Sequence, residues 1–204
     1  MQSPRSTTSL PIDEPDGDRA IYVRVVVDVG SVLRDQPDAV KDADTQTAVA
    51  SDRAQIAVTA TAGIADQETG HLTLQARAGD TLRFFAKSGS NNLEHAALIE
   101  DLHPAGDDSL LQHTGAVALS RTAISPDAQA AVQLAEPAEH SFTFWQAAVT
   151  RDGAQAYALI LALYDRDEHG QPRFGGLYRW DLNLTIQSSP TSAEENPEQE
   201  EKSP

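Results

Sequence analysis

Near the end of the chain, in residues 176–186, hydrophobic side chains occupy every second position. The alternating apolar residues are Tyr178, Trp180, Leu182, Leu184 and Ile186. Because successive side chains of a β-strand point to opposite faces of the sheet, this pattern predicts a strand with one buried face and one solvent-facing side. The same period recurs along the chain and is the strongest structural signal in the sequence.

The two-residue period predicts further strands upstream. Apolar positions share a face in three groups, which are Ile21, Val23, Val25, Val27 and Val29; Leu72, Leu74 and Ala76; and Leu82, Phe84 and Ala86. Residues 156–164 are apolar on both faces, which is typical of a central strand covered on both sides, although their alanines leave a helix open. Further strands are predicted at residues 55–62, 95–102 and 141–149.

Turn-rich segments separate these strands. Short strands at such intervals indicate an all-β fold, and we predict a single-domain β-sandwich, jelly-roll-like, with about eight antiparallel strands. Residues 34–54 and 127–139 are rich in Ala, Asp and Gln without strong alternation, so each is expected to be a loop with a helical turn.

Both ends of the chain have the composition of disordered tails. Residues 1–18 are rich in Ser, Pro, Asp and Thr, and residues 188–204 hold five glutamates, three prolines and one lysine. Such segments bury too little apolar surface to order themselves. We therefore expect one domain over residues 19–187. The acidic tail is expected to be a solvated extension, with a docking tail for a basic partner as the alternative.

The charge balance bears on the choice of partner. With 31 acidic and 15 basic side chains the net charge is −16, which opposes binding to nucleic acid or to an anionic membrane surface, so we expect neither partner. The chain has no cysteine and therefore no disulfide or thiol chemistry. The first ten residues lack the apolar run of a secretory signal, and no apolar run is long enough to span a bilayer, so we expect a cytoplasmic protein.

The loop that follows the predicted central strand places two carboxylates two residues apart, at Asp165 and Asp167, with Gly170 sixth from Asp165. The first half of a calcium-binding hand has this spacing, so calcium is a candidate ligand of the two aspartates. His169 and Gly176 stand where the motif requires other ligands. A polar hairpin turn is the plainer interpretation.

A second polar loop follows the strand around Phe84 and contains Ser90, Asn91 and Asn92. Their hydroxyl and amide groups are of the kind that bind sugar hydroxyls or donate oxygens to a metal, so they are candidate ligand-binding residues. The same groups also serve to close a turn, which remains the simpler alternative.

The sequence contains no motif that indicates catalysis. No histidine pair has the spacing of a zinc protease, and no Walker loop, dinucleotide-binding glycine pattern or nucleophile elbow is present. A Ser-His-Asp triad is spatial and stays open. Trp145 and Trp180 lie in alternating strands, which favours core packing over a sugar-stacking platform. We expect a protein that is not an enzyme and that has no catalytic residues.

Four stretches taken together resemble the bacterial inclusion-body proteins of the PixA/AidA family over about residues 20–187. They are Ala20-Ile21-Tyr22-Val23-Arg24-Val25-Val26-Val27-Asp28; Ala78-Gly79-Asp80-Thr81-Leu82-Arg83-Phe84 with Ser88, Ser90 and Asn91; Phe144-Trp145-Gln146-Ala147-Ala148-Val149; and Tyr164-Asp165-Arg166-Asp167 through Gly176-Leu177-Tyr178-Arg179-Trp180-Asp181. The resemblance implies a small soluble β-sandwich that accumulates in cytoplasmic inclusions or responds to quorum sensing, with host association in several members.

Two functional hypotheses follow. In the first, the protein acts by binding or assembly and recognises a glycan in a lectin-like way, since its general look is also similar to calcium-dependent bacterial lectins. In the second, it is a structural or storage protein that self-associates into ordered inclusions by pairing of sheet edges. Either way we expect a homo-oligomer. A hydrolase with an unseen triad is a distant third.

Overall fold

The computed structural model describes residues 19–36, 47–58, 63–66, 70–126 and 135–188. Nearly all of both predicted tails, and parts of the two predicted loops, lie outside these residues. Within them β-strands dominate, as the alternating pattern predicts. No helix in the described ranges combines the length and apolarity needed to cross a membrane.

The described residues contain eleven strands, one helix and one short 3₁₀ turn. The strands are β1 (Ala20–Val27), β2 (Thr47–Ala48), β3 (Ala54–Val58), β4 (Gly63–Asp66), β5 (His71–Gln75), β6 (Thr81–Ser88), β7 (Ala96–Pro104), β8 (Leu111–Pro126), β9 (Ala135–Val149), β10 (Gly153–Arg166) and β11 (Pro172–Gln187). Helix α1 spans Val29–Asp35, and the 3₁₀ turn spans Ser51–Arg53.

The strands form two sheets. The first has the order β3-β1-β6-β9-β8, and the second has the order β4-β5-β11-β10-β7 with β2 paired to β11. Most neighbours are antiparallel, but β1 pairs with β6, β5 with β11 and β2 with β11 in parallel. Both sheets are therefore mixed.

A single hydrophobic cluster joins the two sheets. It takes Val23 and Phe84 from the first sheet and Leu159 and Trp180 from the second, all essentially inaccessible to solvent. Strand β10 is buried on both faces along residues 159–163, which confirms the prediction of a central strand there. Burial of this apolar surface, at about 25 cal/mol per Å², is the main stabilising contribution to the fold.

Helix α1 begins where strand β1 ends. Asp28 caps it, because its carboxylate accepts a hydrogen bond from the backbone N–H of Ser31 at 3.2 Å. The helix buries Val29 and Val32 in the common core. The prediction that Val29 continues the strand is wrong. Strand β1 ends at Val27, and Val29 is the first residue of helix α1, which buries its side chain.

The prediction of a jelly-roll-like arrangement of about eight antiparallel strands is also corrected. Eleven strands are present, and three of the pairings are parallel. Alternation identifies the buried face of a strand, but it does not specify the neighbour or its direction. The apolar pattern did not predict strand β8, because Gly, Ser, Arg and Thr interrupt it. Part of residues 127–139 is strand β9 rather than loop.

Strands β8 and β9 extend well beyond the rest of their sheet. They pair with each other from Leu111↔Val149 to Pro126↔Ala135. Strand β6, however, pairs with β9 only from Thr81↔Ala148 to Phe84↔Trp145. Residues 117–126 and 135–144 therefore form a two-stranded extension, called the ribbon below. Among the described residues, neither long edge of the ribbon has a further strand beside it.

Candidate functional site

The predicted polar loop is closed by its own side chains. Asn92 Oδ1 accepts hydrogen bonds from the backbone N–H groups of Ser88 at 2.7 Å and Ala97 at 3.2 Å. In return, Ser88 Oγ accepts from the backbone N–H of Asn92 at 2.9 Å and donates to the carbonyl oxygen of His95 at 2.5 Å. These bonds join the end of β6 to the start of β7, so Asn92 has a structural task in the loop.

The other two candidate ligand residues of this loop are also engaged. Ser90 Oγ accepts from the backbone N–H groups of Glu94 at 3.1 Å and His95 at 3.3 Å. Asn91 Oδ1 accepts from Lys87 Nζ at 2.7 Å. Asn91 and Asn92 both adopt positive φ, 56° and 65°, a conformation that Asn tolerates better than most residues. The arrangement is that of a turn held by side-chain oxygens.

The two aspartates of the second loop have different surroundings. Asp167 Oδ1 accepts from the backbone N–H groups of His169 at 2.9 Å and Gln171 at 2.8 Å, which closes the β10–β11 hairpin. Asp165 instead lies between two basic side chains, with Oδ2 3.3 Å from Arg173 Nη2 and Oδ1 3.4 Å from His95 Nε2. The turn interpretation accounts for Asp167, while Asp165 joins the two loops.

The two predicted loops do meet. Besides the His95–Asp165 contact, the Arg166 guanidinium donates hydrogen bonds to the carbonyl oxygen of Leu93. The crevice between the loops measures only about 30 Å³, room for about one water molecule. A sugar at this junction would therefore rest on its surface.

The structure gathers few metal ligands at this junction. No group of three or more Asp, Glu or His side chains arranged to hold a metal occurs within the described residues. A cation at Asp165 would have to displace Arg173, because that guanidinium already occupies the carboxylate. Calcium binding at Asp165 and Asp167, and glycan binding at Ser90, Asn91 and Asn92, stay predictions.

The outer face of the five-stranded sheet carries large aromatic and basic residues to which the sequence pattern assigns no function. Tyr22 of β1 and Phe142 of β9 are 43% and 45% exposed, which is high for such large apolar side chains. Arg24 follows Tyr22 by two residues in β1, so its side chain lies on the same face of the sheet. One feature of the sequence could have indicated this surface. Large aromatic and basic residues occupy solvent-facing strand positions, where small polar residues would be sufficient.

These features define a two-sheet, all-β protein with an extended edge ribbon, a side-chain-closed loop junction and an aromatic, basic outer face. The model of the PixA family, described as inclusion body protein, matches residues 19–186. The chain belongs to the PixA family of inclusion body proteins. The family resemblance stated from the sequence motifs is confirmed for PixA, while the AidA and quorum-sensing associations remain predictions.

A solved relative supports the fold. The chain is similar to the crystal structure of an inclusion body protein of the PixA family from Burkholderia cenocepacia J2315, with a TM-score of 0.70 and 19% sequence identity. The match covers 86% of this chain and 100% of that one. At this identity the likeness shows a shared fold. No curated protein matches the chain.

Proposed function

We propose that this chain is a non-enzymatic structural protein that self-associates into ordered cytoplasmic inclusions through the ribbon. The observation that carries the proposal is the pair of unaccompanied ribbon edges in β8 and β9. Membership in a family of inclusion body proteins supports the same role.

The physical argument begins with the backbone of the ribbon. Along each long edge, backbone N–H and C=O groups point outward. A strand of a second copy could form hydrogen bonds with them. A two-stranded ribbon on its own is marginally stable in water, so a third strand adds stability. Each hydrogen bond gained in this way contributes about 0.5–1.5 kcal/mol net.

The composition of β8 favours such pairing. Residues 117–125 of β8 contain one charged side chain, Arg121, and no proline, whereas the ribbon part of β9 contains Glu136, Pro137 and Glu139. The β8 edge is therefore the less protected of the two. Sheet edges that avoid association are usually protected by several charges or by proline. The chain as a whole carries a net charge of −16, which opposes crowding of copies, so a segment almost free of charge is the favoured contact.

Light scattering of the purified full chain over a concentration series tests the proposal. We expect the weight-average mass to rise from the monomer value as concentration increases, and to rise further in added salt, because salt screens repulsion between the acidic copies. A protein that stays strictly monomeric at high concentration in both low and high salt overturns the assembly function.

Glycan recognition at the loop junction is a second proposal. The observation that favours it is the meeting of the two loops through His95 and Asp165. A glycan array probed with and without a calcium chelator tests it, with Asp165→Asn and Asp167→Asn as variants. Binding that is lost with the chelator and in both variants supports a calcium-dependent site, whereas no binding in either condition removes the proposal.

A further inference from the structure

A groove of about 650 Å³ crosses the outer face of the five-stranded sheet. Its volume falls within the range of about 300–1,000 Å³ that small-molecule sites usually have. Most of its lining side chains lie on the side of the sheet opposite the hydrophobic core. The Asp165–Asp167 loop does not line the groove, although Asn92 of the neighbouring loop does.

The strand pairing explains why the groove forms. Strands β6 and β9 pair as far as Phe84↔Trp145. Beyond that pair β6 continues to Ser88, and β9 follows β8 into the ribbon. The two strands therefore separate, and their outward side chains line the gap. Phe85 and Lys87 stand on the β6 side, and Phe142 stands on the β9 side.

The groove is lined by an unusual share of the aromatic side chains of this protein. The chain has five phenylalanines, and three of them, Phe85, Phe142 and Phe144, line the groove together with Tyr22. Leu98 and Leu119 add aliphatic surface. An exposed apolar concavity of this kind is costly to leave in water, which is why such surfaces mark binding sites.

The charges at the groove are all of one sign. Arg24, Lys87 and Arg121 line it, and no carboxylate does, although acidic residues outnumber basic ones 31 to 15 in the chain. Arg24 lies over the ring of Phe85 at 5.4 Å from its centroid. In the part of the chain that the structure describes, no ion pair joins any of these three cations to a carboxylate.

We propose that this groove binds a small amphipathic anion, an acyl or aryl carboxylate, with its headgroup on Arg24 and Arg121 and its apolar body on the aromatic rings. Guanidinium groups bind carboxylates through paired, charge-assisted hydrogen bonds. The acidic residues 189–204 of the chain fit the groove poorly, because they include no aromatic residue and no Leu, Ile, Val or Met. The ligand must therefore supply the apolar part itself.

Isothermal titration of the full chain with decanoate at low salt tests the proposal. We expect saturable binding of one decanoate per chain. Decyltrimethylammonium has the same alkyl chain and the opposite charge, so it serves as the matched probe for charge selectivity. We expect it to bind at least about tenfold more weakly, because like charges meet at the headgroup.

Variants of the cations localise the site. Arg24→Gln and Arg121→Gln are each expected to weaken decanoate binding about tenfold, because each removes a charge-assisted hydrogen bond. Arg179→Gln is the control, since Arg179 is exposed on the other sheet and makes its ion pair with Asp181. It is expected to leave the affinity unchanged. Circular dichroism of each variant checks that the fold is retained.

Three results overturn the proposal: no saturable binding of decanoate, equal binding of the cationic amphiphile, or equal affinity in Arg24→Gln, Arg121→Gln and Arg179→Gln. The proposal is independent of self-association. Repeating the titration at a concentration where light scattering gives the monomer mass separates a failure of binding from a failure of assembly.

Discussion

Arg83 donates a hydrogen bond from Nη1 to the hydroxyl oxygen of Tyr22 at 2.8 Å. Its guanidinium lies 5.1 Å from the ring centroid of Phe144, and its Nε donates to Gln146 Oε1 at 3.2 Å. Only 3% of Arg83 is exposed. A buried cation held by rings and neutral oxygens thus joins β1, β6 and β9 on the outer face of the first sheet.

The first prediction concerns this buried cation. Arg83→Ala is expected to lower the free energy of unfolding by about 2–3 kcal/mol, because it removes the packed side chain, two hydrogen bonds and the contacts with the rings. Urea denaturation measures the change. Arg24→Ala, on an exposed residue of the same face, serves as the control and is expected to change the unfolding free energy by no more than about 0.5 kcal/mol. Equal losses would contradict the structural role of Arg83.

A second prediction tests a close approach of the backbone. Gly70 has φ +67°, and a Cβ atom added there would lie 2.7 Å from the carbonyl oxygen of Asp181. Gly70→Ala is therefore expected to lower the free energy of unfolding by about 2–4 kcal/mol, through backbone strain and the clash of the new Cβ atom with this carbonyl oxygen.

Gly170→Ala is the matched control for this clash. Gly170 has nearly the same backbone angle, φ +73°, but no atom lies within 4 Å of an added Cβ. We expect Gly170→Ala to lose only the conformational part of the stability, about 1–2 kcal/mol. Thermal or urea unfolding of both variants measures the difference, and a loss for Gly70→Ala no greater than that for Gly170→Ala would refute the clash.

The third prediction concerns the turn between β5 and β6. The Asp80 carboxylate is buried and accepts hydrogen bonds from the backbone N–H groups of Arg19 at 3.2 Å and Arg77 at 3.1 Å. Asp80→Ala leaves both donors without this partner, so we expect a loss of about 2–3 kcal/mol in urea denaturation. Asp107→Ala, on an exposed loop residue, is expected to have an effect within about 0.5 kcal/mol. A similar small effect at Asp80 would show that water replaces the carboxylate.

The fourth prediction is a pH dependence at the start of helix α1. The hydrogen bond from Ser31, and to a smaller extent the nearby Arg53 and Arg34 guanidinium groups, lower the pKa of Asp28 below its usual value of 3.8. A carboxyl group whose pKa is lower in the folded state stabilises the protein above its unfolded pKa and loses that contribution as the pH falls through the folded pKa.

Comparison of the wild type with Asp28→Ala tests this dependence. At pH 7 the variant is expected to be about 1 kcal/mol less stable, because the helix cap is lost. The difference is expected to shrink as the pH falls below about 4, where the unfolded wild-type chain takes up a proton at Asp28, and to go on shrinking until the pH is below the lowered pKa of the folded state. Urea denaturation at pH 7 and pH 3 measures it, and a difference independent of pH would exclude a contribution of the charge.

The sequence predicted the buried faces better than the connections between strands. Alternation correctly identified the core positions of β10 and β11, since burial of Leu159 or Trp180 depends on a local period. It failed at Val29, where the Asp28 cap changes the period. The parallel pairing of β1 with β6 was invisible, because strand direction depends on contacts between distant segments.

The candidate site was predicted in part. The sequence identified the two polar loops, and the His95–Asp165 contact brings them together. Turn closure was the simpler interpretation of both loops, and Asn92 and Asp167 do accept hydrogen bonds from nearby backbone N–H groups. The sequence could not decide between closure and ligand binding, because a side-chain oxygen that closes a turn has the same sequence signature as one that binds a ligand. The groove was missed because Arg24 and Phe142 come from strands far apart in the chain.

Sedimentation velocity of Ala118→Lys beside the wild type tests whether the protein self-associates through the ribbon. Ala118 is exposed on β8, and a lysine there blocks a neighbouring edge from pairing. Ala154→Lys adds the same charge at an exposed position of β10 and is the control. We expect the wild type and Ala154→Lys to assemble with rising concentration, while Ala118→Lys stays monomeric. Equal assembly of all three proteins would contradict a role for the ribbon.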